Sequence, residues 1–301
     1  MSALQPMTAL QPPAVPAGRA GAAGPAWMTG HLADVPDGDG WLTPAEREAQ
    51  RRFLLPHRRA QWRLGRWTAK AAVSRWLSPG AGDEGGDGGG GPGPDPARVG
   101  IVARGPDDGY PLVEGLGEAP PRVSLSHRNG LVVACVAPAP VAVGCDLERI
   151  EARPERFAAD WFGPAEREAV ERAPAGRRDE LVTLLWSAKE SALKATGDGL
   201  RLDTRTVLTE VADPCDPGHR WGRVRAEVPG HPLLHGWWRR LLGLVVVVVA
   251  DGPPQWGPPP RLWPVPGGQP AQAPAPAPAV ATAGAAQRSH HPPLDTEESG
   301  T

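Results

Sequence analysis

A run of five consecutive valines within residues 241–250 restricts the fold of this chain more than any other segment. The apolar stretch is too short to cross a bilayer, which takes roughly 20 residues. Valine branches at its β-carbon, so it fits the pleated surface of a strand better than a helix. We therefore predict that this segment is a fully buried strand.

The composition narrows the classes of protein to which this chain can belong. It carries 32 basic and 34 acidic side chains, and this balance gives no reason to expect a nucleic-acid partner. Three cysteines are an odd number, which suits a reducing compartment better than a disulfide framework. The N-terminus has no basic region followed by a long apolar core, so a secretory signal is not predicted. We expect a cytoplasmic protein that does not associate with membranes.

The chain divides into two halves between low-complexity ends. Residues 1–26 are rich in alanine, proline and glycine, and residues 252–301 repeat proline and alanine before a polar, acidic stretch. Such segments bury too little apolar surface to offset chain entropy, so we predict disordered tails. An N-terminal half spans 27–141 and a C-terminal half spans 142–251. The glycine- and proline-rich residues 78–97 are predicted to form a mobile loop.

The two halves carry similar signals in the same order, without a clean sequence repeat. Each has a helix-start signature with proline in the first turn, then a long helix, then an apolar strand. These segments are 43–46, 57–77 and 131–137 in the first half, and 163–168, 179–196 and 244–250 in the second.

The helix predicted over 179–196 carries charged side chains on one face. Trp186, Glu190 and Lys194 recur every four residues and therefore lie on the same side. A carboxylate can hold a metal or accept a proton, and an ammonium one turn away can neutralise a phosphate. The alternative is an exposed ion pair, worth about 0.3–0.5 kcal/mol.

A short strand predicted over 141–148 places two further carboxylates side by side. Side chains two apart on a strand point the same way, so Asp146 and Glu148 project together. With Glu190 they offer three oxygen donors, the ligand type that Mg²⁺ prefers. The alternative is a polar strand end. Cys145 points to the opposite face, so we interpret it as a core residue and not a nucleophile.

The segment Ser124-Leu125-Ser126-His127-Arg128-Asn129-Gly130 precedes an apolar strand. The serine hydroxyl and the imidazole of Ser126 and His127 stand at a tight turn, where both can hydrogen-bond a phosphate. A capped turn without further function is the alternative.

Together these three segments resemble the 4'-phosphopantetheinyl transferase superfamily, in its long, surfactin-synthetase-activating type. The matching motifs are Ser-x-Ser-His-x-x-Gly, Val-Gly-Cys-Asp-x-Glu and Trp-x-x-Lys-Glu-Ser-x-x-Lys, in that order over residues 124–194. The resemblance implies an α+β fold of two similar halves related by a pseudo-twofold axis. Each half is then a small antiparallel sheet packed on a long helix, with the active site in the cleft between the halves.

The resemblance also implies an activity. An enzyme of this type, a holo-[acyl-carrier-protein] synthase, transfers the 4'-phosphopantetheine arm of coenzyme A to a serine of an apo acyl or peptidyl carrier protein. Adenosine 3',5'-bisphosphate is released, Mg²⁺ is the cofactor, and polyketide or nonribosomal peptide biosynthesis is the setting. We expect a monomer. The alternative is a non-catalytic module of the same fold that binds coenzyme A or a carrier protein.

Roles for individual residues follow from the same resemblance. Mg²⁺ is expected at Asp146, Glu148 and Glu190. Catalytic roles are expected for Glu190, Lys194 and His127. Contacts with coenzyme A are expected from Ser126, His127, Arg66, Lys189 and Lys194.

A basic stripe on the first long helix is a candidate for contacts with the nucleotide end of coenzyme A. Arg59, Arg63, Arg66 and Lys70 fall on one side of residues 57–77, and a solvated basic face is the alternative. The family commonly has a Gly-Arg pair in this helix, matched by Gly65-Arg66. It often has a basic residue where Tyr110 stands here, so basic contacts with the nucleotide are expected from elsewhere.

Overall fold

The computed structural model describes residues 24–78, 93–103, 111–213, 221–253 and 256–262. Most of both predicted tails, most of the predicted loop 78–97, and Tyr110 lie outside these ranges. The helices in these ranges lack the length or the apolar character that a membrane-spanning helix needs.

The first half contains two helices and two antiparallel sheets. The order along the chain is β1 (Ala26–His31), α1 (Pro44–Gln50), α2 (Pro56–Leu77), β2 (Gly100–Ala103), β3 (Pro111–Glu114), β4 (Arg122–Arg128) and β5 (Leu131–Ala137). Strands β1, β5 and β4 form one sheet in that order, and β2 pairs with β3. The long helix α2 packs on the three-stranded sheet.

The second half contains three helices and one larger sheet. Its elements are β6 (Val143–Arg149), α3 (Arg156–Trp161), α4 (Pro164–Arg172), α5 (Ala175–Thr196), β7 (Leu208–Ala212), β8 (Gly222–Glu227), β9 (Leu234–Leu241) and β10 (Leu244–Ala250). The strands form one antiparallel sheet in the order β6-β10-β9-β8-β7, and α5 covers one of its faces.

The valine-rich segment is strand β10, and the prediction of a fully buried strand is confirmed. It lies between β6 and β9, and all seven of its residues are buried. Val245, Val247 and Val249 pack towards α5. Val246 and Val248 point to the other face, where they pack with apolar residues of β5. Alternate residues of a strand face opposite ways, so the run of valines supplies both of these cores.

The two halves share an element order of one strand, two helices and four strands, apart from the added α3. The long helices also share a sequence that was not recognised from spacing alone. Trp67-Thr68-Ala69-Lys70 in α2 matches Trp186-Ser187-Ala188-Lys189 in α5, and each lysine stands seven residues before the end of a 22-residue helix. The predicted mixture of helices and antiparallel sheets is confirmed. The pseudo-twofold axis stays a prediction.

Both lysines of this repeat form buried ion pairs. Lys70 lies 2.5 Å from Glu46, and Lys189 lies 2.7 Å from Glu166. Each glutamate is the third residue of the short helix that precedes the long one. The assignment of Lys70 to an accessible basic stripe was therefore wrong, because its side chain is 0% exposed.

Residues 256–262 pack against the edge strand β1. The backbone N–H of Trp27 donates to the carbonyl of Pro260 at 3.1 Å, and the N–H of Leu262 donates to the carbonyl of Trp27 at 2.6 Å. Trp256 adds to the core between the halves. The prediction of a disordered tail from residue 252 onward is therefore wrong for this segment, because its backbone completes the hydrogen bonding of a sheet edge. At the other end, the predicted tail 1–26 overlaps β1 at Ala26.

Trp256→Ala is expected to lower the free energy of unfolding by roughly 2 kcal/mol, less than the about 3–5 kcal/mol of a fully buried tryptophan. The indole is only partly buried against the core, so part of its area already meets water. Urea unfolding of the full chain measures the change. Leu54→Ala, at a side chain that is 88% exposed, is the control and should leave the midpoint unchanged.

Candidate active site

The centre of the candidate site is the buried carboxylate of Asp146 on β6. Its Oδ1 accepts hydrogen bonds from the Ser126 hydroxyl of β4 at 2.8 Å and from the Lys194 ammonium of α5 at 2.7 Å. Its Oδ2 accepts one from the Ser187 hydroxyl of α5 at 2.9 Å. Two of the three predicted motifs therefore converge on the carboxylate of the third.

Ser126 does not have the environment predicted for a coenzyme A contact. Its side chain is buried, and its single hydroxyl proton is directed to Asp146. A serine with its proton committed in this way presents only lone pairs, which do not favour a phosphate. In this arrangement Ser126 supports the carboxylate of Asp146, and its contact with coenzyme A stays a prediction.

A glycine allows β6 to approach α5 closely enough to build this centre. A Cβ on Gly144 would lie 1.9 Å from the carbonyl oxygen of Ser191 and 2.7 Å from the backbone nitrogen of Ala195. Cys145, next along the strand, is fully buried on the other face. Burial raises the pKa of its thiol to about 11, so the thiol stays protonated and does not act as a nucleophile at neutral pH. This agrees with the interpretation of Cys145 as a core residue.

Gly144→Ala is expected to prevent stable folding or to lower the melting temperature strongly. The added methyl would meet backbone atoms of α5, which cannot rotate away as a side chain can. Circular dichroism and thermal melting measure the effect. Gly176→Ala, at a helical position with no atom within 4 Å of the added Cβ, is the control.

Glu190 is a partly buried carboxylate among other carboxylates. Burial raises its pKa, Asp146 and Glu148 raise it further, and the positive charge of Lys194 opposes them. Among the residues that the structure describes, none donates a side-chain hydrogen bond or forms an ion pair with Glu190. Negative charge at this point is therefore incompletely neutralised.

Glu148 lies in an ion-pair network with two arginines. Its Oε2 is 3.1 Å from Arg153 and 3.6 Å from Arg128, and Arg128 also contacts Glu151 at 2.9 Å. Sequence reasoning missed both arginines. Both could have been found from their positions near the motifs, because Arg128 directly follows the Ser-His pair and Arg153 follows Glu148 by five residues.

The donor set fits Mg²⁺ by its chemistry. Asp146, Glu148 and Glu190 offer the hard oxygen ligands that this ion prefers, and burial together with the charges of Asp146 and Glu148 raises the pKa of Glu190. No group of three or more His, Cys, Asp or Glu side chains is close enough to share a metal ion within the described ranges. In this arrangement Lys194 and Arg153 neutralise two of the carboxylates instead.

Lys194 is held at the centre by opposing effects. Burial favours its neutral form, but the carboxylates of Asp146 and Glu190 favour the charged form and raise its pKa. About a quarter of its side chain remains exposed, with 24% accessible to solvent. A charged lysine beside a carboxylate and open to solvent can meet an incoming anion.

Lys189 is not available to coenzyme A, and this predicted contact is corrected. Its ammonium is 0% exposed and is surrounded by Glu166 and the backbone carbonyls of Thr204 and Val207. The adjacent Glu190 points elsewhere because neighbours on a helix differ by about 100° in direction.

His127 lies exposed near the end of β4, close to positive charges. Burial of part of the ring lowers its pKa, and the charges of Lys194 and Arg58 lower it further. Arg58, in the first turn of α2, was not singled out from the sequence, where it is one of several arginines. Positive charges from both halves therefore surround the imidazole, which favours an anion such as a phosphate.

Arg66 lies apart from this centre. Its guanidinium stacks on Trp62 at 5.0 Å, and its Nε is buried without a hydrogen-bond partner among the described residues. Burial lowers its pKa, and Glu46 of α1 partly offsets this. In the described part of the chain, no contact links Arg66 with Asp146 or Lys194. The structure therefore does not join Arg66 to the other predicted site residues.

Comparisons with a family model and with curated proteins both find a match. Residues 142–223 match the family described as the 4'-phosphopantetheinyl transferase superfamily. A curated relative, 4'-phosphopantetheinyl transferase psf-1 of Bacillus pumilus, is 36% identical over 108 residues, which are 36% of this chain and 42% of that protein. The chain thus matches less than half the length of this relative. The family match contains Asp146, Glu148, Glu190 and Lys194, and it confirms the resemblance to the 4'-phosphopantetheinyl transferase superfamily that the three sequence segments predicted.

Proposed function

We propose that this protein transfers the 4'-phosphopantetheine arm of coenzyme A to a serine of an apo acyl or peptidyl carrier protein. The observation that carries the proposal is the meeting of Asp146, Glu190 and Lys194 inside the segment that matches the superfamily. The relative from Bacillus pumilus is named for the same activity.

Asp146, Glu148 and Glu190 would hold Mg²⁺ together with the pyrophosphate of coenzyme A. When bound, the ion supplies positive charge that offsets the charge of the phosphate oxygens. Both arginine contacts of Glu148 are made by its Oε2, so Oε1 would be the oxygen that ligates the ion. His127, beside Arg58, would contact a phosphate as well.

The chemical step is a phosphoryl transfer. Glu190 accepts the proton of the carrier serine, directly or through a water, as the general base. The serine oxygen forms a bond to the phosphorus that carries pantetheine. The bond from that phosphorus to the bridging pyrophosphate oxygen breaks, and adenosine 3',5'-bisphosphate leaves. Lys194 stabilises the charge that develops on the phosphate oxygens.

The arrangement of the halves supports a site between them. Ser126 and His127 come from the first half, whereas Asp146 and Lys194 come from the second. We propose two similar halves about a pseudo-twofold axis, and the shared Trp-x-Ala-Lys sequence of α2 and α5 supports this relation. A cytoplasmic monomer is part of the same proposal.

A non-catalytic module that binds coenzyme A or a carrier protein is the second candidate. The carboxylates and the lysine argue against it, because a binding module has no need of a partly buried, incompletely neutralised glutamate. An assay with an apo carrier protein, coenzyme A and Mg²⁺, followed by intact-protein mass, separates the two. A mass gain of one phosphopantetheine group supports transfer. Binding of coenzyme A without any gain across acyl and peptidyl carrier proteins contradicts it.

A further inference from the structure

The buried ion pair of Glu166 and Lys189 connects α5 with α4 and with the segment 204–207. The ammonium lies 2.7 Å from Glu166 of α4 and donates to the carbonyl oxygens of Thr204, at 2.8 Å, and Val207. The other carboxylate oxygen of Glu166 accepts from the backbone N–H and the hydroxyl of Thr209, at 3.0 and 2.6 Å. Both charges are therefore fully engaged, with side chains 0% and 4% exposed.

This ion pair holds the side of α5 that is turned away from Asp146. Successive helical residues differ by about 100°, so Lys189 lies roughly 200° from Ser187 around the helix. The Ser187 hydroxyl donates to Asp146 on the opposite side of the helix from Lys189. Contacts on opposite sides resist rotation of α5 about its axis, and Glu190 follows Lys189 directly.

We propose that Glu166 and Lys189 are positioning residues that fix the rotation of α5 and so hold the Glu190 carboxylate beside Asp146. This inference rests on the proposed function, in which Glu190 is the base. It gives Lys189 a role that needs no contact with coenzyme A. A displacement of about 1 Å at a reacting group can cost about a hundredfold in rate, so control of the helix rotation matters for turnover.

The first half contains an ion pair at the matching position of its long helix, but no candidate catalytic base adjoins that pair. Lys70 contacts Glu46 at 2.5 Å and donates to the carbonyls of Trp41 and Pro96, each at 2.9 Å. Residue 71, which occupies the place of Glu190 in the matched helix, is an alanine. The two pairs therefore share the same construction, and only one of them adjoins a candidate catalytic group.

Two double variants of the full chain test the proposal: Glu166→Gln with Lys189→Met, and Glu46→Gln with Lys70→Met. Removing both members avoids leaving one buried charge unpaired. Both double variants should melt at similarly reduced temperatures. Only the second-half variant should lose kcat, by about tenfold or more, with the KM for coenzyme A within about threefold of wild type. The carboxyl ¹³C chemical shift of Glu190 in ligand-free protein at neutral pH should change only in that variant.

Equal losses of kcat in the two double variants, or an unchanged Glu190 shift, would show that the ion pair is structural only and overturn the proposal. A wild-type protein that transfers nothing would contradict the proposed function instead, and the ¹³C shift would still decide the positioning. Should the second-half variant fail to fold, Thr209→Val replaces it, because it removes only the 2.6 Å hydroxyl contact with Glu166. A severalfold loss of kcat then supports positioning, and an unchanged kcat overturns it.

Discussion

Glu190→Gln is expected to lose about a thousandfold or more in the rate of phosphopantetheine transfer and yet to melt above wild type at neutral pH. The rate falls because the amide cannot accept the serine proton and is a weaker ligand for a cation. Stability rises because the fold disfavours the Glu190 carboxylate. Burial and the charges of Asp146 and Glu148 hold its pKa above that of a glutamate in the unfolded chain.

The stability gained by Glu190→Gln depends on pH. A group whose pKa is raised on folding contributes stability below its unfolded pKa, and that contribution is lost as the pH rises through the folded value. The melting advantage of Glu190→Gln should therefore disappear below about pH 4.3, the ordinary glutamate value.

Glu180→Gln is the control on the same helix. Glu180 is 10% exposed and pairs with Arg240 and Arg177, so its substitution should lower the melting temperature and leave the rate unchanged. Single-turnover rates and melting curves over a pH series measure both effects. If Glu190→Gln transferred within a few-fold of wild type, Glu190 would not be the base.

Asp146→Asn is expected to reduce transfer by about a thousandfold, with a smaller effect on folding. The amide oxygen can still accept from Ser126 or Lys194, but the amide nitrogen cannot accept the hydroxyl of Ser187. Loss of the negative charge removes a metal ligand and also the main support for the charged form of Lys194. Mass-based transfer assays and thermal melting measure the two effects.

Asp251→Asn makes the same chemical change at a structural carboxylate. Asp251 directly follows β10 and accepts a hydrogen bond from the backbone N–H of Ala142 at 2.8 Å. This variant should keep its rate within about threefold of wild type, even if its melting temperature falls. Similar rate losses in the two variants would mean that Asp146 matters for folding and not for the reaction.

The sequence was sufficient to predict the elements whose periodicity is strong. The valines of β10 are buried on both faces as expected, because two cores lie on either side of that strand. Glu190 and Lys194 lie on the helix face that was predicted, since i and i+4 positions share a direction whatever the tertiary fold.

The errors concerned side chains whose partners are distant in the chain. Lys70 and Lys189 are typical surface residues by type, but each meets a glutamate more than twenty positions away. Helical spacing indicates which side of the helix each lysine occupies, but it does not show which residues pack against that side. The segment 256–262 was missed because its proline-rich composition hides backbone pairing with β1, which needs no particular side chain.

The pairing of residues 260–262 with β1 also bears on how copies of the protein behave towards one another. An open edge strand offers unpaired N–H and C=O groups to any other strand that meets it. Here Trp27 makes both of its outward backbone bonds within its own chain. A version of the protein shortened before Pro260 would expose that edge, and its copies could associate through β1. The C-terminal boundary chosen for expression therefore affects solubility as well as stability.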